Sequence, residues 1–427
     1  MPFVLALDVG TTSCRAVLFD QTGQQISSEQ KEFTQYFPQP GYVEHDAEEI
    51  WQALCFCIET LLQKTHILSK DITCVGMTNQ RETVVIWDKK AQQPLHKAIV
   101  WQDRRTSDLC YSLKKEGYEP LLRKKTGLVI DPYFSATKMH YLLNQFGYQN
   151  HLALCTMDSW LIYKLTGGAC HLTDSTNASR TQLFNIHTLS WDEELSQLFK
   201  VPMSFLPSVS LSNGFFGEIS HPHCLKGVPI YSAIGDQQAS LFGQLCLKKG
   251  MTKCTYGTGC FILMNLGNTP ILSQQPLLTT VAFHTQSTLC YALEGSVFIG
   301  GALIQWLRDN LGIINSVSEI ETLAKEVSTT GGVFFVPSFT GLGAPHWNPS
   351  AQGVIVGLTR GTQRTHLARA ALEAIAFQVS DVVDVMRQEN ELPISSFHAD
   401  GGASRNHLLM QMQAKTLNTT IFLPEYV

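Results

Sequence analysis

Three times along this chain an apolar strand pattern runs straight into a turn of small and hydroxyl residues. Val4–Ala6 leads into Asp8-Val9-Gly10-Thr11-Thr12, Met251–Tyr256 into Gly257-Thr258-Gly259, and Phe397–Ala399 into Asp400-Gly401-Gly402-Ala403. Such a turn constrains the fold, because a buried strand that ends in glycine must reverse or enter a helix at once. It also constrains the chemistry. Glycine lets a phosphate approach the backbone, successive amides and threonine hydroxyls supply neutral donors, and an aspartate at a strand end can hold a magnesium ion. None of the turns is a Walker loop, since Gly-x-x-x-x-Gly-Lys-Ser/Thr is absent. Each turn by itself is as well explained as a tight connection; the three together, spread over both halves, point to a nucleotide cleft.

The 427 residues exceed one ordinary core and suit two domains of about 200 residues each. Val4–Ala6, Arg15–Phe19 and Gln24–Glu29 read as consecutive antiparallel strands, the last two joined by the hairpin signal Asp20-Gln21-Thr22-Gly23. Asp46 is placed to cap a helix to about Lys64, with Ile50, Ala53, Leu54, Cys57, Ile58, Leu61 and Leu62 on one stripe. Strands over Ile72–Met77 and Thr83–Trp87 follow. The second half repeats this element order without repeating the sequence. It has strands over Met251–Tyr256, Phe261–Asn265, Leu278–Phe283 and Thr288–Leu293, then helices from Gly301 to Asn310 and from Arg364 to Met386. A further helix is expected near Arg405. The boundary is expected near residue 246, giving domains 1–246 and 247–427.

Composition excludes several classes. With 44% hydrophobic and 16% charged residues the chain is globular rather than disordered. A net charge of -5 leaves no basic surface for nucleic acid. No apolar run reaches the roughly 18–20 residues that span a bilayer, and the N-terminus has no basic region before its apolar residues. The twelve cysteines are scattered, with no Cys-x-x-Cys pair, which fits a reducing cytoplasm better than a disulfide framework. His221-Pro222-His223-Cys224 has metal-binding residue types but no second ligand pair, and reads as a surface loop.

The first turn is similar to the first phosphate loop of the actin-like ATPase superfamily. Thr78-Asn79-Gln80-Arg81-Glu82-Thr83, Val100-Trp101-Gln102-Asp103-Arg104-Arg105, Gly127–Phe134, Thr176–Thr181, Gly235-Asp236-Gln237-Gln238-Ala239, Tyr256–Phe261 and Phe339–Pro345 closely resemble the glycerol kinases of the FGGY carbohydrate-kinase family. The resemblance runs from residue 3 nearly to the end. It implies two α/β domains of the actin-like (ribonuclease H-like) type around a central nucleotide cleft, and an ATP:glycerol 3-phosphotransferase that needs ATP and Mg2+. Arg81, Glu82, Tyr133, Asp236 and Gln237 would then hydrogen-bond the glycerol hydroxyls, and Trp101 and Phe261 would enclose its carbons. A triol calls for this mixture of donors, acceptors and aromatic walls. Asp236 would be the general base. Thr11, Thr12, Ser13, Arg15 and Thr258 would contact phosphates, Gly301 and Gln305 would start a helix along the nucleotide, Gly402 and Asn406 would flank adenine and ribose, and Asp8 would orient Mg2+.

On residue types alone, other readings stay open. Asp236 suits an N-cap, Arg81-Glu82 an exposed pair at a strand end, Trp101 and Phe261 the core, and Arg15 a solvated strand position. The alternatives in function are another FGGY kinase, acting on xylulose, ribulose or gluconate, and a catalytically impaired actin-like nucleotide-binding protein. The expected assembly is a homo-oligomer, dimer or tetramer, in the cytoplasm with no integral membrane segment. Relatives of this kind usually continue past the equivalent of Val427, so the second domain is expected to be incomplete. The stretch His221–Pro229 lacks the glycine- and arginine-rich loop with which some relatives bind a sugar bisphosphate, and control by that effector is not expected.

Overall fold

A computed structural model describes residues 2–348, 350–390 and 393–425. The chain divides into two compact units. The first comprises Met1–Ala239 with Thr280–Cys290, and the second Ser240–Thr279 with Tyr291–Val427. The division thus falls earlier than residue 246, inside a helix, and a short excursion of the later chain belongs with the first unit. The expected end of the second domain, Val427, lies outside the described residues.

The first unit opens with β1 (Phe3–Val9), β2 (Ser13–Phe19) and β3 (Gln25–Glu32), paired antiparallel as the hairpin signals predict. Helix α1 (Ala47–Thr65) follows, and the Asp46 side chain accepts from the Glu48 and Glu49 amides at its N-terminus. Every residue of the predicted apolar stripe of α1 is buried. β4 (Ile72–Asn79) then returns parallel to β1, and β5 (Val84–Asp88) leaves for a second sheet. In that sheet β5 pairs with β6 (Leu152–Thr156), and helices α2 (Ala136–Phe146) and α3 (Met157–Leu165) flank it in sequence. β7 (Ile230–Gly235) completes the first sheet in the order β7-β4-β1-β2-β3 and runs into α4 (Asp236–Gly243).

The second unit is built on β8 (Met251–Tyr256), β9 (Cys260–Gly267) and all but the first two residues of β11 (Leu289–Val297), whereas most of β10 (Leu278–His284) belongs with the first unit. Helix α5 (Gly301–Asp309), strands β12 (Phe334–Val336) and β13 (Val354–Val356), helix α6 (Arg364–Asn390), β14 (Ser396–Asp400), helix α7 (His407–Leu417) and β15 (Ile421–Phe422) follow. The sheet order is β10-β11-β9-β8-β14-β15, with β8-β9 and β9-β11 antiparallel and β8-β14 and β14-β15 parallel. Both sheets set an antiparallel trio, β1-β2-β3 in one and β8-β9-β11 in the other, beside two parallel strands, and the second sheet has the additional strand β10 at its edge. The repeat of element order is a repeat of topology.

All twelve cysteines are free thiols, and most are buried, where they pack as small hydrophobes. No helix among the described residues is long and apolar enough to cross a membrane. In His221–Cys224 both histidines are exposed at the surface, while Pro222 is buried and Cys224 packs against the core.

Fully buried in α3, Asp158 accepts from the hydroxyls of Thr156 and Thr173, each at 2.6 Å. Desolvation outweighs those bonds and raises its carboxyl to about 6. The folded protein thus keeps a proton that the unfolded chain, near the ordinary 3.8, has already lost. The stability difference between wild type and Asp158→Asn is expected to fall as pH rises from about 4 to 6, measured by urea unfolding across that range.

Candidate functional site

The register of the first sheet gathers the site. Val9 pairs with Asn79, and Asn79 with Gly235, so the parallel strands β1, β4 and β7 end level with one another. Gly10, Gln80-Arg81 and Asp236 therefore leave the sheet side by side at its carboxyl edge, the usual ligand edge of such sheets.

Arg81 is almost fully buried. Its Nη1 donates to Gln238 Oε1 at 3.1 Å and its Nη2 to the Tyr133 hydroxyl at 3.4 Å. Its Nε stands 3.4 Å from Asp236 Oδ1 and 3.9 Å from Glu82 Oε1. One guanidinium fork thus touches four of the groups that line this edge. Glu82 sits at φ 60°, in the left-handed region that a non-glycine residue seldom adopts, and the Thr83 amide donates to Arg81 O at 2.7 Å around it. Backbone strain of that kind is retained where the surroundings hold it. Here Arg180 Nε donates to Glu82 Oε1 at 2.6 Å, and Ser135 donates to Glu82 O. Arg81-Glu82 is a buried, paired unit and not an exposed strand-end pair.

Tyr133 is held from below by Lys138, whose buried ammonium donates to the carbonyls of Pro132, Tyr133 and Phe134. Its own amide donates to Asp131, which is also paired with Arg104 at 3.0 Å. Trp101 meets the Tyr133 ring edge-on at 5.6 Å. Asp236 keeps a third of its side chain exposed, and Gln237 N–H donates to its Oδ1 at 2.7 Å. Asp236 is the first residue of α4 rather than a cap outside it. Asp236 is thus the solvent-reachable carboxylate of an otherwise buried cluster.

A ring of hydrogen bonds ties this cluster to the first glycine turn. Trp101 Nε1 donates to Thr11 Oγ1 at 3.1 Å, and the Trp101 amide donates to Thr83 Oγ1 at 3.3 Å. Thr83 donates to Gln80 Oε1, and Gln80 Nε2 donates to Gly10 O. Because Trp101 occupies an acceptor position of Thr11, the Thr11 hydroxyl proton is directed elsewhere, as a donor. Gln80 Nε2 also lies 3.3 Å from His45 Nδ1. Burial holds that imidazole down to about 4, so it stays neutral and accepts through Nδ1.

At the end of β1, burial pushes the Asp8 carboxyl above the usual range, while Arg15, opposite it in register, pulls it back. A divalent cation relieves a desolvation cost of this kind, and magnesium keeps most of its waters, so one such carboxylate fits it. Arg15 itself is exposed and donates to Gln30 at 3.2 Å, as a solvated strand residue would. Gln30 also donates to Ser13 Oγ, and Thr12 is exposed at the turn.

In the second unit three turns interlock through their backbones. Gly301 N–H donates to Gly257 O at 2.8 Å, and Gly300 and Ala302 donate to Thr258 O. Gly401 adopts φ 86°, and a Cβ there would meet Tyr256 O at 2.6 Å, so only glycine lets these strand ends approach. Gly402 beside it faces open space. Thr258 and Gln305 are exposed on the same assembly of turns and α5. Asn406 is committed differently: its Oδ1 accepts from Leu409 N–H as the cap of α7, which begins at His407 rather than near Arg405. Phe261 lies on β9, half-buried, opposite Thr255 and Ser296.

Sequence reasoning gave no role to Gln238, Arg180, Lys138, Gln80 or Thr83. Four of them stand inside the segments that carry the family resemblance, and that proximity was the available signal. Lys138 had none beyond its place a turn and a half after Pro132.

Comparisons with known proteins agree over nearly the whole chain. Residues 3–243 match the N-terminal domain of the FGGY family of carbohydrate kinases, and residues 252–427 its C-terminal domain. A glycerol kinase of Dechloromonas aromatica is 52% identical over 429 residues, covering 99% of this chain and 86% of that protein. The crystal structure of Plasmodium falciparum glycerol kinase with ADP superposes with a TM-score of 0.90 at 35% identity, covering 100% of this chain and 87% of that one. Gluconate kinase from Lactobacillus acidophilus shares the fold, with a TM-score of 0.88 at 24% identity, over 99% of this chain and 86% of that one.

Arg180 and Glu82 are both almost wholly buried. Arg180→Met is expected to cost about 3–5 kcal/mol of unfolding free energy, the range for stranding one member of a buried ion pair, as read from the urea midpoint.

Proposed function

Because this chain belongs to the FGGY family of carbohydrate kinases, we propose that it transfers the γ-phosphoryl group of ATP to glycerol, giving sn-glycerol 3-phosphate and ADP. The observation that carries the reading is the partly exposed Asp236 carboxylate, held by Arg81 at 3.4 Å amid buried hydroxyl-binding groups. Identity of 52% with a glycerol kinase, against 24% with a gluconate kinase of the same fold, favours the triol over a sugar acid.

Asp236 accepts the proton of the attacking hydroxyl as its oxygen forms the new bond to phosphorus and the bond to the ADP oxygen breaks. Arg81 limits where that carboxylate can point, and positioning is most of what phosphoryl transfer asks of a protein. Arg81, Glu82, Tyr133 and Gln237 meet the hydroxyls, so an analogue lacking one leaves a buried group unpaired. Trp101 and Tyr133 form the aromatic wall of the first unit, and Phe261 is assigned to the carbon chain of the alcohol by the family resemblance alone. Thr11, as an oriented donor, takes a phosphate oxygen with Thr12 and Ser13. Thr258, Gly301, Gln305, Gly402 and Asn406 take up the remaining nucleotide, Gly402 by its open face and Asn406 alongside its capping role. Arg15 adds long-range positive charge to the phosphates. Asp8 would hold Mg2+, which supplies charge neutralisation to the phosphates when bound.

Asp236→Asn is expected to lower kcat about 10²–10⁴-fold with glycerol, measured as glycerol-dependent ADP release. A variant that keeps nearly full turnover removes Asp236 as the base. In a panel of purified-enzyme assays, glycerol is expected to give the highest kcat/KM; higher values with xylulose, ribulose or gluconate overturn the substrate assignment.

A further inference from the structure

Strand β7 ends on Gly235, the residue before Asp236, and β4 ends on Asn79, just before Gln80-Arg81. Gly235 and Asn79 are partners in register. A Cβ on Gly235 would meet Arg81 Cγ and Cδ at 2.9 Å, so the stem of Arg81 lies directly on the glycine backbone. Glycine has the widest choice of φ and ψ, and it has no side chain to anchor it. The direction taken by Asp236 therefore depends on what holds the Gly235 peptide.

A short segment of the first unit holds it. Asp174 is fully buried and caps the single helical turn Ser175–Ala178. Its Oδ1 accepts from Thr176 Oγ1 at 2.8 Å and from the Asn177 amide at 2.9 Å, and its Oδ2 from Ser212 Oγ at 2.7 Å. A threonine hydroxyl has one proton and two lone pairs. Because Thr176 gives its proton to Asp174, a lone pair is left for Gly235 N–H, which donates to Thr176 Oγ1 at 2.9 Å. A charged acceptor behind the hydroxyl strengthens that bond. The next residue of the turn, Asn177, exchanges side-chain amide bonds with Asn79 at 2.9 and 3.1 Å. Arg180 then reaches Glu82. The segment thus grips in succession the backbone before Asp236, the strand end before Arg81, and Glu82.

We propose that Thr176, oriented by the buried carboxylate of Asp174, is a positioning residue for phosphoryl transfer, acting through the Gly235 amide on the direction of Asp236. The inference rests on the reading of Asp236 as the base. Thr176→Val keeps the shape of the side chain and removes the hydroxyl, so Gly235 N–H and Asp174 each lose a partner. A displacement of about 1 Å at a reacting group can cost about 10²-fold in rate.

The test is kcat and KM from glycerol-dependent ADP release, with Asp236→Asn measured alongside. Thr176→Val is expected to lower kcat about 10–100-fold while KM for ATP changes less than about threefold. Thr176→Ala is the parallel variant should valine prevent folding, and Thr176→Ser, which keeps the hydroxyl, is expected within about threefold of wild type. In the Asp236→Asn background, Thr176→Val is expected to lower the residual kcat less than about twofold, because residues that act as a unit are not additive. Thr166 is the control for plain stability: it is buried, accepts from Cys170 N–H at 3.2 Å and donates to Ile162 O at 2.8 Å. Thr166→Val is expected to lower the urea midpoint and leave kcat unchanged. Wild-type kcat without the Thr176 hydroxyl, an equal fall in both backgrounds, or the same fall in Thr166→Val overturns this inference and leaves the base assignment standing. Near-full turnover by Asp236→Asn removes the base itself, and the inference with it.

Discussion

The buried guanidinium of Arg81 is the constraint around which the first unit's site is organised. A fixed fork of donors in a water-poor place must find acceptors, or it costs several kcal/mol. Those acceptors come from three separate stretches: Asp236 and Gln238 at the start of α4, Tyr133 in the segment before α2, and Glu82 next to it in sequence. Satisfying Arg81 therefore fixes the distances among the groups proposed to meet the alcohol. Glu82 in turn has its own arginine, Arg180, so the cluster is not left with an uncompensated buried carboxylate. Asp236 is the member that also reaches solvent, and this difference in environment separates it from Glu82 and underlies the role proposed for it.

The two units solve the same problem by different means. Both end parallel strands in glycine turns at one edge of a twisted sheet. In the first unit the turn is steadied by side chains, with Gln80 on the Gly10 carbonyl and Trp101 on the Thr11 hydroxyl. In the second the turns grip one another through backbone groups, with Gly301 on Gly257 and Gly401 pressed on Tyr256. The side-chain solution makes one residue, Trp101, pack against Tyr133 and support the glycine turn together.

Much of the fold was legible before any coordinates, for local reasons. Helix α1 combines a capping aspartate with a 3.6-residue apolar period, and both signals lie within a few residues of where they act. The hairpin β2–β3 is announced by its own turn. The topological repeat was readable as an order of elements, although the sequences of the halves have diverged. Less legible were the limits: the division falls inside α4, and Thr280–Cys290 sides with the first unit, because compactness depends on packing between segments far apart in the chain. At the site, Asp236 and the glycine turns could be named from the chain, whereas the burial of Arg81-Glu82 could not. Their polar character argues for exposure until partners 98 and 157 residues away are in place. Asn406 shows the reverse case: the resemblance assigned it to the nucleotide, and the local need of α7 for a cap also claims it.

The sequence by itself determined the periodic elements, the glycine turns at the strand ends, and the family to which the chain belongs. Each of these is written in short-range patterns of residue type, which obey local sterics and hydrophobic period. Only the tertiary structure decided which polar residues are buried together, and that Gln80, Thr83, Trp101 and Thr11 close a ring. Those outcomes depend on the level ending of β1, β4 and β7 and on desolvation by distant segments, and no stretch of sequence contains either.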